Sequence, residues 1–288
     1  MSEEVINYDG YQKSTWWQNK RRGLTNRYHK YKRILSWKMH VRLHKIEPDY
    51  SKIPDDSIPI LINNFNRLEL LKQQIDWLLT LEGNPAIIIV DNQSNYPPLL
   101  NFYKNLNHPK VQVVDLKFNS WRLGAAYLAK KLSHYKNVVI TDSDLLPYPN
   151  TPTDILPHLV KLMEKYPEYN HIGLSLEIED LPDDTPMKAK VYRHESQFWS
   201  PQTACLNDEV YVAAIDTTFA MYHPDSKILA TAPALRTVRP YTLQHVDWYL
   251  KPEEYSEEYQ YYLSNCKSFA TWATQLKKKQ DKFKIKNG

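Results

Sequence analysis

The stretch Asn137-Val-Val-Ile-Thr-Asp-Ser-Asp-Leu145 decides the fold that this sequence predicts. Its apolar, mostly β-branched residues show no polar alternation, which is typical of a strand buried on both faces of a sheet. Two carboxylates, Asp142 and Asp144, follow at the carboxyl end of that strand. Open α/β sheets bind their ligands at this edge. A divalent metal that carries a phosphate is the simplest partner for two such carboxylates.

Segments of the same kind surround this stretch and alternate with segments of helical period. Strands are predicted at 58–62, 86–90 and 111–114, and helices at 68–81, 99–106 and 121–132. Strands that alternate with helices predict a parallel sheet with right-handed crossovers. Each strand is followed by polar residues, so four polar exits share one edge, which favours a nucleotide site. No Gly-x-Gly-x-x-Gly or Walker-type segment follows the first strand, which disfavours dinucleotide and P-loop sites.

Composition narrows the class of protein. The chain has 288 residues, of which 42% are apolar, enough for a proper core. No run of 18 apolar residues occurs, so we expect no transmembrane helix. The N-terminus is acidic and lacks an apolar segment, so we expect no signal peptide. Cys205 and Cys266 have no metal or redox spacing, which is typical of reduced thiols in a cytosolic protein.

The positive charge is concentrated near the N-terminus, where 11 Lys or Arg and no Asp or Glu lie between Lys13 and Lys45. Helical spacing puts an apolar stripe on one face of this arm, interrupted by Lys32 and Arg42. The stripe consists of Tyr28, Tyr31, Leu35, Met39, Leu43 and Ile46. The pattern suits a peripheral anchor on an anionic membrane surface, and equally a helix that packs on the body and shows a solvated basic face. Basic residues among aromatics also suit nucleic acid, but no such motif is present and we expect no nucleic-acid partner.

Three segments together resemble a family-2 glycosyltransferase with the GT-A fold. They are Pro59-Ile-Leu-Ile-Asn-Asn-Phe-Asn-Arg67, Ile88-Ile-Val-Asp-Asn-Gln-Ser94 and Val139-Ile-Thr-Asp-Ser-Asp144. The resemblance covers roughly residues 58–150. It implies an α/β, Rossmann-like fold with a mostly parallel central sheet and helices on both faces. It also implies a nucleotide-sugar donor, with uridine diphosphate as the suggested carrier.

The resemblance assigns roles to particular residues. The segment Phe65 to Arg67 would lie by the base, Asp91 would bind base or ribose, Asp142 would face ribose and metal, and Asp144 would ligate the metal. The expected nucleotide-sugar residues are Phe65, Asn66, Arg67, Asp91, Asn119, Asp142 and Ser143. Enzymes with this fold often supply a late histidine as a further metal ligand, and His245 fits in order, although a lone histidine is as often structural. Asp142, Asp144 and His245 would then hold Mn²⁺ or Mg²⁺.

The sequence offers several candidates for the general base. Asp216 lies in an apolar context, where a carboxylate is costly unless it is paired or used. It also lies between the Asp-x-Asp and the late histidine in chain order, so it is our first choice for the base. Asp247 is the second candidate, and Glu177 and Glu179 are further rivals. No Glu-Asp pair followed by Gln-x-x-Arg-Trp is present, so we do not expect a processive synthase.

The second half of the chain is expected to bind the acceptor. Residues 155–163 form a predicted helix, 171–176 a strand, and 210–222 a strand pair. The polar stretch 177–207 is long for a loop, which suits an acceptor-binding lid or a poorly ordered insertion. Trp199 and Trp248 could stack on a sugar ring or belong to the core.

These patterns divide the chain into three parts. We predict a basic helical arm at 1–50 and a glycosyltransferase domain at 54–250. Within that domain, 54–150 would be the nucleotide-binding half and 151–250 the acceptor half. A C-terminal helix with a basic tail would follow at 251–288.

The sequence therefore predicts a metal-dependent hexosyltransferase that moves a sugar from a nucleoside-diphosphate sugar to a glycan or lipid-linked hydroxyl in polysaccharide biosynthesis. Inversion at the anomeric carbon is one expected outcome. We expect it in the cytoplasm, peripheral on the cytoplasmic face of a membrane. A sugar-nucleotide nucleotidylyltransferase is the second hypothesis, although the first strand lacks the Gly-rich loop of that class. A non-catalytic binding protein with the same fold is the third.

Overall fold

The computed structural model describes residues 31–199, 203–215, 218–223, 226, 228 and 232–266. The chain divides into two compact units, Met1–Lys45 and Ile46–Gly288. In the described part of the first unit, α1 is helical over 31–43. Within the described residues, none of the helices is both long enough and apolar enough to span a bilayer.

The first half of the second unit alternates strands with helices, as the sequence predicts. Its elements are β1 (Ile58–Asn64), α2 (Glu69–Leu78), β2 (Pro85–Asp91), α3 (Pro97–Asn105), β3 (Val111–Asp115), α4 (Leu123–Lys131) and β4 (Val138–Asp142). The four strands pair in parallel in the order β3-β2-β1-β4. The α/β class is therefore confirmed.

Unbroken apolar runs form these strands because both faces of the sheet are covered. All seven residues of β2 are buried. In β1, Ile60 and Ile62 join the large core cluster with residues of α2 and α5 (Ile155–Lys165), while Leu61 is buried on the opposite side. Helix α4 contacts β1, and a Cβ at its Gly124 would collide with Leu116 and Ser120. Close packing of α4 therefore requires glycine at this position.

The second half adds short strands that reverse direction. Its remaining elements are β5 (Leu145–Pro147), β6 (His171–Gly173), β7 (Ser175–Leu176), α6 (Lys188–Glu195), β8 (Cys205–Leu206), β9 (Val210–Val212), β10 (Ala220–Tyr222), β11 (Ala234–Thr237), β12 (Thr242–His245) and α7 (Glu257–Asn265). Among the described residues, one sheet has nine strands in the order β3-β2-β1-β4-β10-β6-β11-β9-β8, and a second has three in the order β5-β12-β7.

The large sheet is mixed, which corrects the prediction of a mostly parallel one. Four of its strand pairs are parallel. The other four are antiparallel. The parallel pattern holds across β3-β2-β1-β4 and ends where β10 enters antiparallel between β4 and β6. A strand that arrives from distant sequence carries no local mark of its direction.

Two strand predictions of the second half are also corrected. The predicted strand 171–176 divides at Leu174 into β6, in the large sheet, and β7, in the small one. The predicted pair within 210–222 does form two strands, β9 and β10, but they do not pair with each other. The stretch 177–207 contains α6, a 3-10 turn at Ser196–Phe198 and β8.

Candidate functional site

The carboxyl ends of β1, β2 and β4 carry a connected set of polar side chains, here called the polar edge (Asn63, Asp91, Asn92, Asp142). Asn63 lies opposite Asp142 in the β1–β4 register, and Asn64 lies opposite Asp91 in the β1–β2 register. Parallel strands that run in one direction end at the same edge of a sheet. The structure therefore brings together the strand-exit residues that lie far apart in the sequence.

Amide side chains link the members of the polar edge. Asn92 donates to Asn63 Oδ1 at 2.7 Å, and Asn63 donates to Asp142 Oδ1 at 3.1 Å. Ser120 donates to Asn92 Oδ1 through its amide at 3.1 Å and its hydroxyl at 2.9 Å. This chain of hydrogen bonds orients the Asp142 carboxylate. Ser120 acts here beside the predicted Asn119, which is half-buried.

Asp91 is buried, and both of its oxygens accept hydrogen bonds. Tyr103 donates to Oδ1 at 3.1 Å, and the Ser94 amide donates to Oδ2 at 2.9 Å. Burial raises the pKa of Asp91, and these hydrogen bonds oppose that rise. The carboxylate therefore has a fixed orientation at the end of β2.

Asp144 and His245 come together although they lie 101 positions apart in the chain. Strand β12 runs antiparallel to β5, so that His245 lies opposite Leu145. His245 Nε2 lies 3.6 Å from Asp144 Oδ2. Asp144 Oδ1 and His245 Nδ1 are buried without a hydrogen-bond partner. A carboxylate and an imidazole with unsatisfied buried atoms fit a divalent ion, for which both are suitable ligands.

Hydrogen bonds from helix α2 fix the turn that carries Asp144. Gln74 is buried, and its Nε2 donates to the carbonyls of Asp142 at 2.8 Å and Leu145 at 2.9 Å. The ring of Trp248 stacks on that of His245 with centroids 4.4 Å apart and planes 10° apart. Trp248 is 2% exposed, so its ring is buried and belongs to the core. Gln74 and Trp248 thus position the two candidate ligands.

Arg67 and Asp247, predicted to bind nucleotide and to act as base, bind each other. Arg67 Nη1 and Nη2 donate to the two carboxylate oxygens at 2.9 and 2.8 Å, and both side chains are buried. Glu258 lies 3.7 Å from Arg67 Nε, and the rings of Tyr259 and Tyr262 lie against the guanidinium. Burial acts to lower the pKa of Arg67, but Asp247 outweighs it and the pKa is raised. This geometry gives Asp247 a structural partner and favours a positioning role for it.

The other predicted residues beside the nucleotide shape the loop after β2. Asn66 has a left-handed backbone, with φ of 53°. Its Oδ1 accepts from the amides of Asn95 at 2.7 Å and Tyr96 at 3.0 Å. Phe65 is half-buried and meets Tyr262 edge-on. Ser143, between the two aspartates, is buried.

In the second half of the chain, here called the acceptor side after its predicted role, Trp199 and Arg239 pack together beside a buried carboxylate. Arg239 lies 4.6 Å above the Trp199 ring and donates to Glu177 at 2.7 and 2.6 Å. Trp199 Nε1 donates to the Leu176 carbonyl at 3.0 Å. Burial acts to raise the pKa of Glu177, but the hydrogen bonds from Arg239 and from backbone amides outweigh it and lower the pKa. Glu177 is thereby occupied as an ion-pair partner, while Glu179 is exposed.

Asp216 lies outside the described residues. Among those that are described, no three His, Cys, Asp or Glu side chains group in a way that could hold a metal. Asp144 and His245 would therefore need ligands from a bound substrate or from water. Sequence reasoning missed Asn63, Gln74 and Ser120. A buried glutamine on an otherwise apolar helix face was the one available indication for Gln74.

Comparisons with known proteins bear on this arrangement. Residues 60–218 match the model of the family described as Glycosyl transferase family 2. The search of curated proteins finds no match.

Several solved structures are similar at low identity. S. aureus TarS matches at 12% identity and a TM-score of 0.41, over 76% of this chain and 42% of that one. TarS 1-349 in complex with UDP matches at 12% identity and a TM-score of 0.40, over 77% of this chain and 69% of that one. GalNAc-T7 with UDP, GalNAc and Mn2+ matches at 12% and 0.46, over 66% and 43%. This chain thus spans under half the length of the TarS and GalNAc-T7 chains.

The family assignment stands on the sequence model, which spans more than half of the 288 residues. The matched residues include most of β1, all of β2 to β4, the polar edge and Asp144. The chain belongs to glycosyl transferase family 2.

Proposed function

We propose that this chain is a metal-dependent glycosyltransferase that moves a hexosyl group from a nucleoside-diphosphate sugar, with uridine diphosphate as carrier, to a hydroxyl of a glycan or lipid-linked acceptor. The observation that carries the proposal is the Asp144–His245 pair. A carboxylate and an imidazole 3.6 Å apart, each with an unsatisfied buried atom, lie next to the polar edge. Such a pair suits a divalent ion beside a diphosphate.

In this proposal, Asp144 and His245 hold Mn²⁺ or Mg²⁺. When bound, the ion would act as a Lewis acid on the diphosphate, which gains negative charge as its bond to the anomeric carbon breaks. Asp142, oriented by Asn63, would face the ribose or the ion. Gln74 keeps the turn that bears both aspartates in place.

Asp91 would bind the base or the ribose from the end of β2. Its orientation is set by Tyr103 and the Ser94 amide, so that the site is preorganised. Phe65 would lie by the base together with Asn66, whose side chain fixes the neighbouring loop. Arg67 would stabilise this part of the nucleotide site through its ion pair with Asp247.

An inverting transfer needs a carboxylate that accepts the proton of the acceptor hydroxyl. We propose Asp216 for that role on the sequence argument. Asp247 is paired with the buried Arg67 and Glu177 with the exposed Arg239, which disfavours both carboxylates as the base. Trp199, backed by Arg239, would offer its ring to the acceptor sugar. We place the reaction in polysaccharide biosynthesis, in the cytoplasm at a membrane surface.

The test is thermal stability with a panel of nucleoside diphosphates, with and without Mn²⁺, on the wild type, Asp144→Ala and Asp76→Ala. Asp76 is an exposed aspartate of α2 and serves as the matched control. A ligand at 100 times its Kd stabilises the native state by roughly 2.7 kcal/mol. We expect one nucleotide to stabilise the wild type and Asp76→Ala in a Mn²⁺-dependent way, and this effect to be lost in Asp144→Ala.

The outcomes separate the hypotheses. The absence of any nucleotide effect would contradict the donor site. A nucleotide effect that persists in Asp144→Ala would remove the metal role of that residue. A metal-dependent effect without release of nucleoside diphosphate from any sugar nucleotide, in the presence of candidate acceptors, would favour a non-catalytic binding protein.

A further inference from the structure

Helix α1 has two apolar faces, one of them open to solvent. Trp37 is 5% exposed, whereas an outward stripe, here called the α1 stripe, is 56–76% exposed. The stripe consists of Tyr31, Leu35, Met39 and Leu43. Steps of four residues keep these side chains on one side of a helix, and at about 100° per residue Trp37 points about 180° away from the centre of the stripe.

An exposed stripe of this kind needs an apolar partner. Single exposed leucines are common on protein surfaces, but several large apolar side chains on one side of a helix mark an interaction site. A helix that only packs on its own unit would need one apolar face. The second face, formed by the α1 stripe, therefore requires a different environment.

The charges next to the stripe identify that environment. Lys32, Lys38 and Arg42 are exposed. Helical geometry puts Lys38 at the edge of the stripe, and Lys32 and Arg42 between its members. Between Lys13 and Lys45 there are 11 basic residues and no acidic one. A second copy of this helix would bring like charges together, whereas an anionic lipid surface would attract them. Long basic side chains can bury their methylene groups while their charges reach lipid phosphates.

We propose that α1 lies in the plane of an anionic lipid surface, with Tyr31, Leu35, Met39 and Leu43 at the boundary between headgroups and acyl chains. Lys32, Lys38 and Arg42 reach outward from this boundary and contact the lipid phosphates. This arrangement is that of an interfacial amphipathic helix. It does not depend on the chemistry of Asp144 and His245, and it gives a role to the basic side chains of α1, for which the transfer reaction has no use.

The test is co-sedimentation of the full chain with phosphatidylcholine vesicles, with and without phosphatidylglycerol. The variants are Leu35→Glu/Met39→Glu, Lys38→Gln/Arg42→Gln and the control Leu100→Glu. Leu100 is a 44% exposed leucine of α3 in the other unit. All the changed side chains are exposed, so we expect unchanged circular dichroism and thermal midpoint for each variant.

We expect the wild type and Leu100→Glu to bind only vesicles that contain phosphatidylglycerol. The double glutamate variant should bind at least about tenfold more weakly, because two apolar side chains no longer enter the interface. The affinity of the double glutamine variant for these vesicles should fall about fivefold for each charge removed. High salt should weaken vesicle binding by the wild type to about the level seen for that variant.

Three results would overturn the proposal. They are equal binding to neutral and anionic vesicles, binding that the stripe variants leave unchanged, and a wild-type dimer in light scattering that Leu35→Glu/Met39→Glu dissociates. The last result would assign the stripe to a second copy of the chain. None of these outcomes depends on the nucleotide stabilisation described above, which every α1 variant should retain, so either proposal can fail alone.

Discussion

The polar edge and the acceptor side hold their buried polar groups in different ways. At the polar edge, side-chain amides form a chain of hydrogen bonds, in which Asn92 donates to Asn63 and Asn63 donates to Asp142. On the acceptor side, the buried carboxylates Glu177 and Glu195 are each paired with an arginine, Arg239 and Arg236.

The difference concerns how sequence specifies a contact. Residues of the polar edge meet because parallel strands end together, and so an alternating pattern of strands and helices already brings them near one another. The ion pairs join residues 62 and 41 positions apart that share no strand register. Order at the polar edge therefore follows from topology, whereas order on the acceptor side follows from individual pairs.

The largest expected effect comes from Arg67, whose guanidinium forms a buried pair with Asp247. Arg67→Met leaves Asp247 buried without a partner and should lower the free energy of unfolding by about 3–5 kcal/mol. The control Lys72→Met breaks an exposed pair with Glu69 and should cost about 0–1 kcal/mol. Urea unfolding measures both.

A double variant shows what Arg67 does besides stabilise. Arg67→Met/Asp247→Leu should recover most of the lost stability, since apolar residues often replace a buried pair at little cost. Loss of nucleotide binding in a stable double variant would show that the Arg67–Asp247 pair serves the site beyond its contribution to stability. A cost for Arg67→Met no larger than that for Lys72→Met would contradict the buried pair.

The acceptor-side pairs should rank by burial. Arg236→Met leaves Glu195 buried, with both side chains 5% exposed, and should cost about 3 kcal/mol. Arg239 is 45% exposed and solvent screens its pair with Glu177, so Arg239→Met should cost about 1–2 kcal/mol. Equal costs in chemical unfolding would show that burial does not separate the two pairs.

Gln74 tests how firmly the aspartate turn is held. Gln74→Met leaves the carbonyls of Asp142 and Leu145 without their donor and should cost about 2 kcal/mol. The neighbouring Gln73 is exposed, and Gln73→Met should stay within about 0.5 kcal/mol of wild type. Only the Gln74 variant should also reduce the Mn²⁺-dependent nucleotide stabilisation. An unchanged nucleotide effect would make Gln74 purely structural.

The smallest expected effect is that of Asn63→Ala, which breaks the amide chain at a half-buried position. We expect the free energy of unfolding to fall by about 1 kcal/mol, because Asp142 loses its orienting donor. The Mn²⁺-dependent stabilisation by nucleotide should weaken for the same reason. Asn101→Ala, at an exposed amide of α3, is the matched control and should leave nucleotide binding unchanged. A larger effect from Asn101 than from Asn63 would contradict a role for the amide chain.

Several expectations from sequence agree with the structure because they rest on local pattern. The strands and helices from β1 to β4 lie where apolar runs and helical periods predict them. Asp144 and His245 lie together as the resemblance to the family implied, although their role as metal ligands stays a prediction. Asp216 as base also stays one, since it lies outside the described residues.

The sequence by itself determined the α/β alternation, the strand-exit residues and the concentration of basic residues near the N-terminus, because each depends on residues near one another in the chain. Only the tertiary structure decided that β10 enters antiparallel, that Arg67 and Asp247 bind each other and that Trp248 stacks on His245. The Arg67–Asp247 contact joins residues 180 positions apart. A contact between residues so distant depends on how whole elements pack, and no local period of apolar residues records it.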